Sequence, residues 1–158
     1  MDLAELTSLA VIGPVSAAAQ RIADQAHRGQ FDKVGAPYID HVARVAARLA
    51  ERGYADEVVA SGWLHDTIED TDWTQACLVA AGVPEYTVRI VVAITRLPGQ
   101  EPADYYGGLV AAGPDAVAVK EADIDDNTDL ARTTLLELDV RERLAKKYQK
   151  ARCLLGLQ

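Results

Sequence analysis

Residues 62–71 read "GWLHDTIEDT" and place His65, Asp66, Glu69 and Asp70 among apolar residues, in what otherwise patterns as a buried helix. A buried unpaired charge is strongly destabilising, so such side chains persist inside a bundle only when paired, hydrogen-bonded or bound to a metal. Adjacent residues project about 100° apart around a helix axis, so His65 and Asp66 reach one point only beyond a helix end or at a distortion. Glu69 lies one turn beyond His65 and Asp70 one turn beyond Asp66, extending the same polar stripe.

Two other segments offer ligand-type residues at positions expected to face inward. His41 shares a helix face with Val45 and Leu49, and Asp123 follows the apolar run "AVAVKEA". A His-Asp dipeptide alone is explained as well by a helix-terminal ion pair, and a lone His on an apolar face by a satisfied core histidine. The four residues together point to a metal. Two imidazoles and two carboxylates form a borderline donor set that suits Mn, Fe, Co, Ni or Zn and disfavours calcium, which prefers an all-oxygen shell.

Around these positions the chain patterns as all-α, with period-3.6 hydrophobicity and no sustained alternation. Helices are expected over residues 14–27, 38–52, 55–68, 74–81, from Pro84 through "VRIVVAIT", from Pro114 through "AVAVKEADIDDN", and over 139–155. The glycine-rich segment 28–37 reads as a loop. The stretch "RLPGQEPADYYGGL" reads as a turn-rich connection into a weak helix, because Gly107 and Gly108 together lower helix propensity by about 2 kcal/mol. A length of 158 residues predicts a single domain spanning 1–158, with its core over about 14–155 and residues 1–13 as an N-terminal extension or short helix.

The formal charge of −8 argues against binding a nucleic-acid duplex, which needs clustered Lys and Arg. It leaves room for a small anionic ligand held by a metal and a few local cations. No apolar run reaches the length of a membrane span, and no basic region followed by a hydrophobic stretch opens the chain, so no membrane association and a cytoplasmic location are expected. Cys77 and Cys153 read as small buried hydrophobes in a reducing compartment.

The ordered segments "AHRGQFDKVGAPYIDHVARVA" (26–46), "WLHDTIEDT" (63–71) and "VKEADIDDN" (119–127) resemble the three sequence blocks of the HD superfamily of metal-dependent phosphohydrolases. Within it the chain is most similar to the alarmone-hydrolase branch, the hydrolase domain of RelA/SpoT-type proteins and its small stand-alone relatives. The resemblance implies a helical HD domain in which His41, His65, Asp66 and Asp123 ligate one divalent cation, usually manganese. It implies that Glu69 and Asp70 are the catalytic carboxylates and that Asn127 contacts substrate near the scissile phosphate. The first loop holds the nucleotide in this branch, which makes Arg28 and Lys33 candidates, while Tyr105 and Tyr106 read either as stacking residues at the pocket or as core. Lys120 and Asp126 lie near the Asp123 face and read as surface residues or as part of the site.

Two positions depart from the branch. Asp32 stands where the branch usually carries an arginine that helps hold guanine, and Ile124 stands in place of the arginine of A-D-R. Three readings follow: a hydrolase removing the 3′-diphosphate of (p)ppGpp, a phosphohydrolase of another nucleotide or phosphorylated cofactor such as NADPH, and a nucleotide-sensing module without turnover. Glu69 and Asp70 weigh against the last, since a pure binder has no evident need of both. Alarmone synthesis is not expected of these 158 residues.

Overall fold

A computed structural model describes residues 12–157. The short helix or extension expected over residues 1–13 lies almost wholly outside the described residues. The described chain forms α1 (Pro14–Ala26), α2 (Tyr38–Glu51), α3 (Asp56–Leu64), α4 (Thr67–Asp70), α5 (Gln75–Ala80), α6 (Glu85–Ile94), α7 (Pro102–Ala112), α8 (Pro114–Asn127), α9 (Leu130–Thr133) and α10 (Leu138–Leu154). Among the described residues there is no strand, only an isolated antiparallel bridge between Phe31 and Pro37. None of the described helices is long and apolar enough to cross a membrane.

The centre of the bundle is α3, whose residues from Val58 to Leu64 are all buried. It packs against α1, α2, α6 and α8, and α2 in turn packs on α8. Gly62 permits the closest approach: a Cβ there would stand 2.8 Å from Leu49 Cδ1 and 3.0 Å from the Cα of Ala46 on α2. The start of α3 also serves its neighbour. Pro14 opens α1 without needing its missing N–H, and the next two amides donate to the Asp56 carboxylate, Val15 at 2.8 Å and Ser16 at 3.3 Å. An acid at that place also meets the positive end of the α1 dipole.

The helix expected over 55–68 is broken. It stops at Leu64, His65 and Asp66 form a turn, and the chain resumes as α4. His65 Nδ1 donates to the Gly62 carbonyl at 2.7 Å, taking one of the acceptors that a helix end leaves open. The break supplies the distortion that two adjacent ligands require.

Elsewhere α7 accommodates both Gly107 and Gly108, because Tyr105, Tyr106 and Leu109 bury its inner face and packing outweighs propensity. The short helix α9 had no counterpart in the sequence pattern. Both cysteines are exposed, contrary to expectation. In α5 only Leu78 turns inward, and Cys153 lies on the solvent side of α10, where Ala151 is buried.

Segment 27–37 closes on itself. Tyr38 N–H donates to the Gln30 carbonyl at 2.9 Å, Asp32 N–H to the Ala36 carbonyl at 2.8 Å, and Gly35 makes the turn with φ of 82°. That conformation strains any residue with a Cβ.

Candidate metal centre

Two helices and one turn deliver the four expected ligands to one point. His41 comes from the first turns of α2, His65 and Asp66 from the turn between α3 and α4, and Asp123 from the third turn of α8. One ligand atom from each lies within 4.8 Å of all the others. His41 Nε2 is 3.1 Å from Asp123 Oδ1 and 3.5 Å from Asp66 Oδ2, and His65 Nε2 is 3.3 Å and 3.0 Å from the same two oxygens.

The donor set fits a cation. Each imidazole uses its Nδ1 elsewhere, His41 toward Asp126 Oδ2 at 2.7 Å and His65 toward the Gly62 carbonyl at 2.7 Å. With Nδ1 carrying the proton, Nε2 presents its lone pair to the cluster, the arrangement common to metal-bound histidines. His65 Nε2 is fully buried and makes no hydrogen bond despite the nearby carboxylates. Such an orphaned polar atom requires a partner. The carboxylates are held from outside as well, Asp66 by the Tyr38 hydroxyl at 2.6 Å and Asp123 by Lys120 at 2.7 Å and Asn127 at 2.9 Å.

The electrostatics describe a site built for positive charge. Burial acts to lower the His41 pKa, but Asp123, Asp126 and Asp66 outweigh it and push the group up to about 11. Burial is likewise outweighed at His65 by Asp66 and Asp123, which push it up to about 10. Burial would raise both acids, yet the facing histidines, and Lys120 for Asp123, hold Asp66 and Asp123 well below the ordinary carboxylate range. Without a metal the acids draw protons onto the imidazoles, and a divalent cation competes for the same positions.

A cavity of about 440 Å³ opens over this cluster. Glu69, Asp70, Asn127, Lys33 and Tyr106 all line it, with Asp66, Asp123 and His41 at its floor. Asp66, Glu69 and Asp70 also bring carboxylate oxygens within 4.8 Å of one another. Glu69 accepts from the Arg96 amide at 2.6 Å. Burial, then the charges of Asp66 and Glu69, push Asp70 up to about 6. Tyr106 is 5 % exposed and stacks edge-on with Tyr105, so it is at once core and cavity wall. Arg28 is exposed and does not line the cavity.

Sequence reasoning missed several residues here. Lys120 and Asp126 are not surface residues: Lys120 is bonded to Asp123, and Asp126 is fully buried against His41. The reason is periodicity, since Asp126 follows Asp123 by three positions and so faces α2 with it. Arg44 and Arg48 on α2 and Arg52 at its C-terminal cap meet Asp126, Asp129 and Asp125 in turn, a ladder at four-residue spacing that signals which side of the α8 C-terminal end is covered. Tyr38, Arg96, Lys147 and Tyr148 line the cavity without having been singled out. Ile124 is fully buried in the core and presents nothing to the cavity.

Comparison with known proteins follows the same lines. Residues 19–154 match the profile of the family described as HD domain. The chain is 31 % identical over 134 residues, 82 % of its length, to a guanosine-3′,5′-bis(diphosphate) 3′-pyrophosphohydrolase of Aquifex aeolicus (strain VF5). It is 32 % identical over 143 residues, 84 % of its length, to the protein of that name from Haemophilus influenzae. These alignments cover 19 % and 20 % of the relatives' own lengths, so the chain spans about a fifth of each. Among solved structures, that of a metazoan ortholog of SpoT, described as hydrolysing ppGpp, superposes with a TM-score of 0.77 at 20 % identity, covering 90 % of this chain and 86 % of the other.

Proposed function

Because the chain belongs to the HD domain family, we propose that it is a metal-dependent phosphohydrolase that removes the 3′-diphosphate of guanosine 3′,5′-bis(diphosphate) or its pentaphosphate counterpart, leaving GDP or GTP. The observation that carries this reading is the convergence of His41, His65, Asp66 and Asp123 within 4.8 Å, with both imidazoles anchored through Nδ1. HD hydrolases use a divalent metal, and these four residues are the ones we assign to it, with Mn2+ as the ion and Fe, Co, Ni or Zn compatible with the same donors.

When bound, a divalent ion makes water acidic enough to react near neutral pH and draws charge from a phosphoryl group. The chain's own residues do the rest. Asp70, whose carboxyl sits near 6, is ionised at neutral pH and takes the proton of the attacking water. Glu69, beside it and fixed by the Arg96 amide, orients that water. Asn127 and Lys33 contact the phosphates, and Tyr106 forms the wall against which the nucleoside rests. Five carboxylates and five Lys or Arg residues line the cavity, so a divalent cation tips the lining positive and suits a highly charged anion.

The testing experiment is a panel of ppGpp, pppGpp, NADPH and simple nucleotides assayed with Mn(II) for released diphosphate and phosphate. Metal-dependent diphosphate release from ppGpp that falls in Glu69→Ala is expected. Release no faster than in that variant overturns the alarmone assignment. A second reading, phosphate removal from another nucleotide or phosphorylated cofactor such as NADPH, is favoured by the two departures from the alarmone pattern. Asp32 brings a carboxylate to the loop and Ile124 is fully buried, so neither offers a cation to a guanine. Phosphate release from NADPH in the same panel separates the two.

A further inference from the structure

Asp126 is fully buried, yet it takes no place among the four converging ligands. Its Oδ2 accepts from His41 Nδ1 at 2.7 Å and from Arg132 Nη1 at 2.7 Å, and its Oδ1 accepts from Arg44 Nε at 2.8 Å. Arg132 also donates through Nη1 to the Asp126 carbonyl at 3.1 Å. Its other terminal nitrogen, Nη2, reaches Asp32 Oδ2 at 3.1 Å, in the first loop, and both residues line the cavity. The second oxygen of Asp32 is occupied by its own loop, accepting from the Val34 and Ala36 amides at 3.0 Å and 2.9 Å. One unbroken path, Asp32 to Arg132 to Asp126 to His41, joins the loop over the cavity to a ligand at its floor.

On the reading of this site as a metal centre, we propose that Asp126 is a positioning residue for His41 and that Arg132 couples it to Asp32, so that the loop tunes the ligand. Asp126 holds the Nδ1–H tautomer, aims Nε2 at the cation, and lends the ring negative charge that makes it a stronger donor. Arg132 divides its charge between two carboxylates. When Asp32 is neutralised, the guanidinium falls wholly on Asp126 and withdraws charge from His41. The departure of Asp32 from the alarmone pattern thereby gains a role: the position sets how firmly Arg132 bears on the metal ligand, while Arg132, itself on the cavity wall, supplies a cation beside a loop that lacks its usual one.

The test is Mn(II) affinity, measured by chelator competition, in Asp126→Asn, Asp32→Asn and the double variant, with folding checked by denaturant titration. Asp126→Asn is expected to weaken binding about 10–100-fold. Asp32→Asn, outside the four converging residues, is expected to weaken it several-fold, and to lose that effect in the Asp126→Asn background, since coupling of this kind shows as non-additivity. Affinity unchanged in Asp32→Asn, or an equal loss in both backgrounds, overturns the relay. If Asp126→Asn fails to fold, Asp32→Asn alone decides on the same criterion. Failure of the wild-type protein to bind any divalent ion sinks the metal-centre reading instead. The relay is then decided by the His41 Nδ1 proton in the metal-free protein, whose resonance moves in Asp32→Asn if the path exists and stays put if it does not.

Discussion

His65 donates its Nδ1–H to the carbonyl of Gly62, 2.7 Å away, and Gly62 is also where α3 lies hardest against α2. Orientation of the His65 ring and core packing thus meet in one residue. Gly62→Ala places a Cβ 3.0 Å from the Ala46 backbone, which has no side-chain freedom to yield. Overpacking costs about 1–3 kcal/mol, and roughly 1 kcal/mol returns from better helix propensity. A net loss of up to about 2 kcal/mol is expected in urea unfolding, together with weaker metal binding, because the 62–65 turn moves with α3.

Divalent metal should raise thermal stability. At a free Mn(II) concentration a hundred times its Kd the gain is about 2.7 kcal/mol, which for a chain of this length raises Tm by about 5–10 °C. His65→Ala should abolish the shift while leaving the metal-free protein folded, as read by differential scanning fluorimetry with and without chelator. An equal shift in that variant would place the ion elsewhere.

Asp70 gives the reaction an acid limb. Its carboxyl is raised from 3.8 to about 6, first by burial and then by Asp66 and Glu69, and only the ionised form accepts a proton. Activity should therefore fall as pH drops through about 6 and recover above it; positive charge from a bound metal moves the limb lower. Asp70→Asn should lose about 10²–10⁴-fold in rate and the limb with it. A kcat/KM profile that keeps the limb in Asp70→Asn assigns the proton to another group.

Asp56 offers a control remote from the chemistry. Its carboxylate caps α1 through the Val15 and Ser16 amides, so Asp56→Ala should cost about 1–2 kcal/mol in stability. Metal affinity and kcat should stay at wild-type values, which a paired unfolding and activity measurement checks.

The convergence of His41, His65, Asp66 and Asp123 was legible because they fall in the three ordered sequence blocks, and because adjacent His65 and Asp66 cannot share a target on an intact helix. The break after Leu64 meets that geometric demand. Less legible was everything that depends on which side chain a neighbouring helix covers. Asp126 and Lys120 carry charges, so sequence alone offers them to solvent, while α2 and the cavity claim them. Arg28 and Lys33 looked equivalent in the loop, but the turn at Gly35 brings only Lys33 to the cavity. The cysteines misled in the other direction, since an apolar neighbourhood in sequence does not say which face of a short helix is inward.

The residues from Val58 to Leu64 are all buried in α3, so a change in that run disturbs the bundle and, through it, the placement of His65. Phe31, Lys33 and Lys147 line the same cavity from exposed positions. A substitution within α3 therefore puts fold and site at risk together, whereas one at the rim changes only what the cavity presents to an incoming molecule.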